Sequence, residues 1–222
     1  MEPAAEGYVP LSSRSTWAQR ALLAVAALNC AAAVSAYFAY RLYQDSLVTQ
    51  DELDATDIRE GLIALLAFVA LVVAAVFFIR WIHCAYRNLP SLGARLRFES
   101  WWAIGGWFIP IWGLFRPKQI ANDIWRKSDP STEPDEASDH VPALFQWWWA
   151  FFLVGTFLEN AGLRADLNAN DLEAYSNLAV LDMVTDSIDA VGAVLAVLVV
   201  RRATARMEAR AARLRAEPVA SA

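Results

Sequence analysis

Histidine and cysteine are nearly absent from this chain, and their scarcity excludes most site chemistry. Its 222 residues include two of each, His83, His140, Cys30 and Cys84. A zinc site draws three or four such ligands together, and neither cysteine has the CxxC partner that marks a metal or redox site. His83 adjoins Cys84, but no third group lies in register, so the two do not make a nucleophile–base pair. There is no HExxH and no glycine-rich phosphate loop. The chain is therefore read as a non-enzyme with no metal and no cofactor. Positive charge is also missing, but only locally. Residues 44–60, QDSLVTQDELDATDIRE, set Arg59 against a row of acids, and residues 164–177 set Arg164 against Asp166, Asp171 and Glu173.

Apolar residues are abundant: 57% of the chain, with a mean hydropathy of +0.31. They gather in four runs, at about 17–43, 61–82, 146–163 and 178–200. A helix needs about 20 such residues to cross a bilayer. The fold class expected is an all-α membrane protein with four transmembrane helices. The net charge of −5 says little about partners, and nothing points to nucleic acid. Arg14 and Arg20 ahead of the first run, with Ala33-Val34-Ser35-Ala36 inside it, have the outline of a signal peptide. Apolar character continues through Tyr37-Phe38-Ala39-Tyr40, however, so the run is expected to span rather than be cleaved.

Lysine and arginine collect on cytoplasmic segments. Arg14 and Arg20 lie at the start of the first run, Arg80, Arg87, Arg95 and Arg97 at and beyond the end of the second, and Arg116, Lys118, Arg126 and Lys127 before the third. Six arginines follow the fourth, from Arg201 to Arg215. With four crossings and both termini cytoplasmic, only Arg41, Arg59 and Arg164 fall outside. Residues 101–116, WWAIGGWFIPIWGLFR, are apolar but must not add a crossing, since a fifth would put the basic tail outside. Sixteen helical residues reach only about 24 Å, against a hydrocarbon core of about 30 Å, and Gly105, Gly106 and Pro110 permit a bend. The segment is expected to re-enter or to lie in the inner interface.

Tryptophan follows the same geography. Trp101, Trp102, Trp107, Trp112, Trp125, Trp147, Trp148 and Trp149 all fall at or near the inner boundary, where aromatic belts anchor helices. On this reading residues 1–16 form a cytoplasmic tail and 17–200 the membrane domain. Residues 117–128 form an amphipathic helix with Ile120, Ile124 and Trp125 on one face, and 129–142 form an acidic linker. Residues 201–222 form a basic tail whose Arg201, Arg202, Arg206 and Arg210 are expected at anionic lipid headgroups.

FIRWIHCAYRNLPSLGARLRF, WWAIGGWFIPIWGLFRPKQIANDIWRKS and VLAVLVVRRATARM together resemble the domain of unknown function 4328 family of bacterial multi-pass membrane proteins. The resemblance is most specific over 77–128, where Arg87-Asn88-Leu89, the tryptophan–proline run and Pro117-Lys118-Gln119-Ile120 follow in order. Members usually carry Asn where this chain has Gly113 and often Pro where it has Ser100, so any role of that amide is absent here. The resemblance implies a shared membrane architecture and brings no activity with it.

Asp182, Asp186 and Asp189 stand at i, i+4 and i+7 in the fourth run, on one helical face. Counted from Arg201, Trp147 and Trp17 at 1.5 Å per residue, Asp189, Glu159 and Asn29 reach a common depth of about 18 Å, with Asn160 adjoining Glu159. A central aspartate costs about 2.5–3.5 kcal/mol on insertion scales and should face the bundle interior. Two functions follow. The first is a non-enzymatic protein of the cytoplasmic membrane that binds or organises partners at its inner face, with the lipid bilayer and anionic headgroups as further partners. The second is a small cation- or proton-coupled translocator using the intramembrane carboxylates.

Overall fold

A computed structural model describes residues 7–131 and 140–216, and all regular structure among them is helical. In chain order the elements are α1 (Ser12–Tyr43), α2 (Gln50–Arg87), a 3-10 turn (Pro90–Leu92), α3 (Trp102–Gly105), α4 (Pro110–Gly113), α5 (Arg116–Lys127), α6 (Ala143–Asp166) and α7 (Leu172–Ala216). The central part of the predicted acidic linker, 132–139, lies outside the described residues, as do 1–6 and 217–222.

Three helices, α1, α2 and α7, are long and apolar enough to cross a membrane. The fourth expected span, α6, has 24 residues, enough to cross by length. Gln146, the three tryptophans and the Glu159–Asn160 pair lower its hydropathy below that of the others. Each long helix outruns its apolar stretch. Helix α2 begins eleven residues before the expected Gly61 because Thr49-Gln50-Asp51-Glu52 is a capping box. Glu52 Oε2 accepts from the Thr49 backbone N–H at 2.9 Å, and the Glu52 N–H reaches back to Thr49 Oγ1 at 3.4 Å. Helix α7 starts where Asp171 Oδ1 accepts from the Ala174 N–H at 2.8 Å.

The chain forms two compact units. Unit 1 comprises Met1–Arg20, Ala75–Gln146 and Val197–Ala222, and unit 2 comprises Ala21–Ala74 and Trp147–Ala196.

Unit 2 is built on small residues. Val25 and Ala26 of α1 pack with Ala74 of α2 and Ala193 of α7, and Ala36, Ala39, Ala179, Ala190 and Ala196 are also buried. Small side chains let helices approach closely where lipid supplies no hydrophobic drive. Within this unit α2 is covered along one narrow seam. Leu53, Thr56, Glu60, Ile63, Ala67, Ala70 and Ala74 are its less exposed positions, spaced alternately three and four residues as in a coiled coil. Leu62, Leu65, Phe68, Val69 and Val72 stay exposed, the surface expected of a helix facing lipid.

Unit 1 has a tight, partly polar core. Trp81 is buried and donates its indole N–H to Thr204 Oγ1 at 2.9 Å. The chain leaves α2 through the 3-10 turn, closed by Gly93, whose φ of 80° suits glycine and whose N–H bonds Pro90 C=O. Helix α5 buries Ile120 and Ile124 inside this unit. Its apolar face is therefore covered by protein and is not free to lie on a membrane.

Candidate functional site

Two sets of residues carry unusual chemistry, one in each unit. In unit 2, α6 and α7 run antiparallel in a register set by glycine. A Cβ on Gly155 would collide with the Asp189 carboxylate, one on Gly162 would come 3.8 Å from Asp182 Oδ1, and one on Gly192 would come 3.5 Å from Phe151 Cβ. Glycines seven apart on α6 thus face aspartates seven apart on α7. The carboxyl groups lean into space a side chain would otherwise fill. The Glu159 and Asp189 carboxyls are close neighbours and interact with each other. Asp186 sits between Asp182 and Asp189 on the same face, and α2 adds Glu60, a charge neighbour of both Asp182 and Asp186.

Glu60 in turn accepts from Ser35 Oγ at 2.8 Å and pairs with Arg59 at 3.0 Å. Arg59 also donates to Ser35 Oγ at 2.8 Å. Arg59 thus offsets the charge of Glu60, whereas Arg41 donates to Tyr37 Oη. Asn160 donates to the Thr156 carbonyl of its own helix at 2.7 Å, and no hydrogen bond joins Asn29 to the acids. Five carboxyls, Glu60, Glu159, Asp182, Asp186 and Asp189, are therefore mutual neighbours, while the Asn160 side chain turns back to its own helix. Among the described residues no three His, Cys, Asp or Glu groups converge closely enough to hold a metal ion. Sequence reasoning missed Glu60, Gly155 and Gly162. The matching seven-residue spacings on the two helices would have revealed the glycines.

In unit 1 the basic tail turns inward. Arg206, Arg210 and Arg213 lie at i, i+4 and i+7 on α7 and grip the chain just after α5. Arg206 donates to the Trp125 carbonyl at 3.1 Å, stacks on the Trp125 ring at 4.4 Å and pairs with Asp129. Arg210 is 1% exposed and donates to the carbonyls of Leu92 and Asp129. Arg213 donates to the Pro130 carbonyl. The first of these bonds satisfies a carbonyl that the end of α5 leaves open, and the others satisfy carbonyls of the turns beside it. A guanidinium so buried does not reach a lipid headgroup, so Arg210 belongs to the fold, while Arg201 and Arg202 remain exposed. Around Asp129, burial pushes the carboxyl up, but hydrogen bonds from Ser131 and the Arg206 guanidinium outweigh it and hold it below the usual range.

The N-terminal segment docks in the same unit. Asn88, 2% exposed, accepts from Val9 N–H at 3.1 Å and donates to Val9 C=O at 2.7 Å. Glu208 Oε1 accepts from Leu11 N–H at 2.8 Å.

Residues 101–116 form no continuous helix. Two single turns, α3 and α4, both pack on α5, and the chain doubles back between them. A Cβ on Gly113 would come 3.4 Å from the Gly106 carbonyl, and one on Gly106 would come 3.1 Å from Arg116 Cγ. Of the expected anchors, Trp101, Trp112 and Trp147 are exposed. Trp102, Trp107 and Trp125 are half-buried, and Trp148 and Trp149 are buried within the fold.

Asp123 of α5 is 5% exposed, and its Oδ2 has no hydrogen-bond partner. Burial raises its pKa above the ordinary 3.8, against the opposing pull of Lys127, Arg97 and Arg126; Tyr86 is a further neighbour. A raised native pKa means that folding takes up a proton. Its stabilising contribution is complete below the unfolded value and is lost as pH rises through the native value. Asp123→Asn is expected to match the parent in heat stability near pH 4 and to exceed it at about pH 7.5. Thermal unfolding in detergent across that range measures this, and parallel curves would contradict it.

A family model described as Domain of unknown function (DUF4328) matches residues 44–205. No curated protein and no solved structure matches the chain.

Proposed function

Since the chain belongs to the DUF4328 family, whose function is unknown, we propose that it is a four-span protein of a bacterial cytoplasmic membrane, with both termini inside, that binds or organises partners at the inner surface without catalysing a reaction. Helix α6 is the fourth span in this reading, and the 101–116 hairpin lies at the inner interface. The observation that carries it is the hairpin itself. It is held by α5, folds back before it could cross, and leaves Trp101, Phe108, Ile111, Trp112 and Phe115 exposed. Exposed apolar patches of this kind mark contact with a membrane or a partner. The basic segments on both sides of the hairpin support its cytoplasmic placement. Single cysteines test the topology: Asn170→Cys is expected to react only from outside, and Ser91→Cys and Ser131→Cys only from inside. Labelling of Asn170→Cys from the cytoplasm would overturn it.

The Glu159–Asp189 contact favours a second reading, proton movement along the neighbouring carboxyls from the outer face. Ionisable residues within a membrane are costly and mark functional pathways, proton relays among them. Asp186→Asn with Asp189→Asn in sealed vesicles is expected to abolish any proton flux the parent shows. Unchanged flux in a folded variant removes this reading.

A further inference from the structure

Residues 97–116 hold two arginines arranged around aromatic rings. The guanidinium carbon of Arg97 lies 4.9 Å from the Phe98 ring centre and that of Arg116 lies 4.0 Å from it. Arg116 is also 4.8 Å from the Trp102 ring and 4.7 Å from the Trp112 ring. It donates one hydrogen bond, to Gln119 Oε1 at 3.2 Å, while its buried Nε–H has no partner. Among the described residues no carboxylate comes within ion-pair distance of either arginine, the buried Asp123 acting on Arg97 only from further off. Rings that stack on a guanidinium orient it and leave its edge for an anion. Helix α5 starts at Arg116, and Phe115 at its N-cap supplies no capping side chain, so the positive end of the helix adds to the same field.

Next to these charges lies the hairpin tip, where Phe108 is 72% and Ile111 74% exposed, with Phe115 also exposed. Unpaired guanidinium groups beside an exposed apolar tip are complementary to one kind of molecule, a lipid with an anionic head and hydrocarbon chains. Resting on the inner-interface placement of the hairpin, we propose that Arg97 and Arg116 bind the headgroup phosphate of an anionic phospholipid whose chains cover Phe108, Ile111 and Phe115. The headgroup role expected of the C-terminal tail thereby extends to the hairpin.

The test uses the full chain with Cys30→Ala and Cys84→Ala, carrying a bimane probe on Phe108→Cys. It is reconstituted in phosphatidylcholine vesicles containing doxyl-labelled phosphatidylglycerol or doxyl-labelled phosphatidylcholine at equal fractions. Both lipids are expected to quench, with phosphatidylglycerol preferred about five-fold for each arginine engaged. Arg116→Gln is expected to remove most of that preference. Arg97→Gln does the same by an exposed side chain whose loss leaves the fold intact. Equal quenching by the two lipids overturns the headgroup site while leaving the hairpin in the membrane. No quenching by either overturns the placement itself, as does a tip covered by a second copy of the chain. Loss of the preference in millimolar inorganic phosphate would mean a water-open anion site and would also refute the proposal.

Discussion

Replacing Gly155 by alanine is expected to lower the stability of the chain by about 1–3 kcal/mol, the usual cost of overpacking a tight contact. The new methyl group would collide with Asp189 Oδ1, with Cγ at 3.0 Å and Oδ2 at 3.5 Å. All three atoms belong to one short side chain, which the Glu159 carboxyl also contacts. Either α6 and α7 separate or the carboxyl moves away from its partner. Because the obstruction is a single side chain, Asp189→Ala on the Gly155→Ala background is expected to recover most of the loss. Gly162→Ala is the control. Its methyl would meet nothing nearer than 3.8 Å, so removing a helix glycine there should be neutral or stabilising by up to about 1 kcal/mol. Thermal unfolding followed by circular dichroism in detergent distinguishes the three. Equal effects at 155 and 162 would show that the register between these helices is not as described.

The second large effect is expected at Asn88. Its side chain mimics a strand partner for Val9, taking the N–H and the C=O of one residue at 3.1 and 2.7 Å. Asn88→Ala removes both bonds and opens a gap beside two backbone groups. An orphaned group costs about 1–3 kcal/mol when water is excluded. Val9 is itself partly exposed, so water recovers some of this, and about 2 kcal/mol is the net expectation. The loss should be local first: residues 7–11 should become cleavable by protease before the helices melt. Asn88→Asp keeps the acceptor for Val9 N–H but turns a carboxylate toward Val9 C=O, and should not restore protection. Resistance of the Asn88→Ala segment to protease would contradict the docking role.

The long helices could be read from the sequence because apolar runs of bilayer length admit few other structures. Their ends could not be read from hydropathy. The start of α2 was nonetheless legible in Thr49-Gln50-Asp51-Glu52, a local signal that precedes the apolar run and is masked by its charge. A break within 101–116 was legible as well, since Gly105, Gly106 and Pro110 interrupt a run too short to cross; the approach of Gly113 to Gly106 was not. The roles of Arg206, Arg210 and Arg213 were not. Their i, i+4, i+7 spacing fits an exposed basic stripe and a buried clamp equally well. Only the carbonyls of Leu92, Trp125, Asp129 and Pro130, distant in sequence, decide between them. Ile120 and Ile124 were equally undetermined, because an apolar stripe does not disclose whether protein or lipid covers it. Among the acids, alignment of Asp182, Asp186 and Asp189 followed from helical periodicity alone. The inclusion of Glu60 depended on how neighbouring helices are rotated, which no count of residues supplies.

The narrow seam of α2 has an evolutionary corollary. Between Leu53 and Ala74 the fold inspects about two of every seven side chains, and hydrocarbon solubility alone vets the others. Leucine, phenylalanine and valine can replace one another across most of its circumference without penalty. Drift therefore has a latitude on α2 that the acid-bearing face of α7 does not permit.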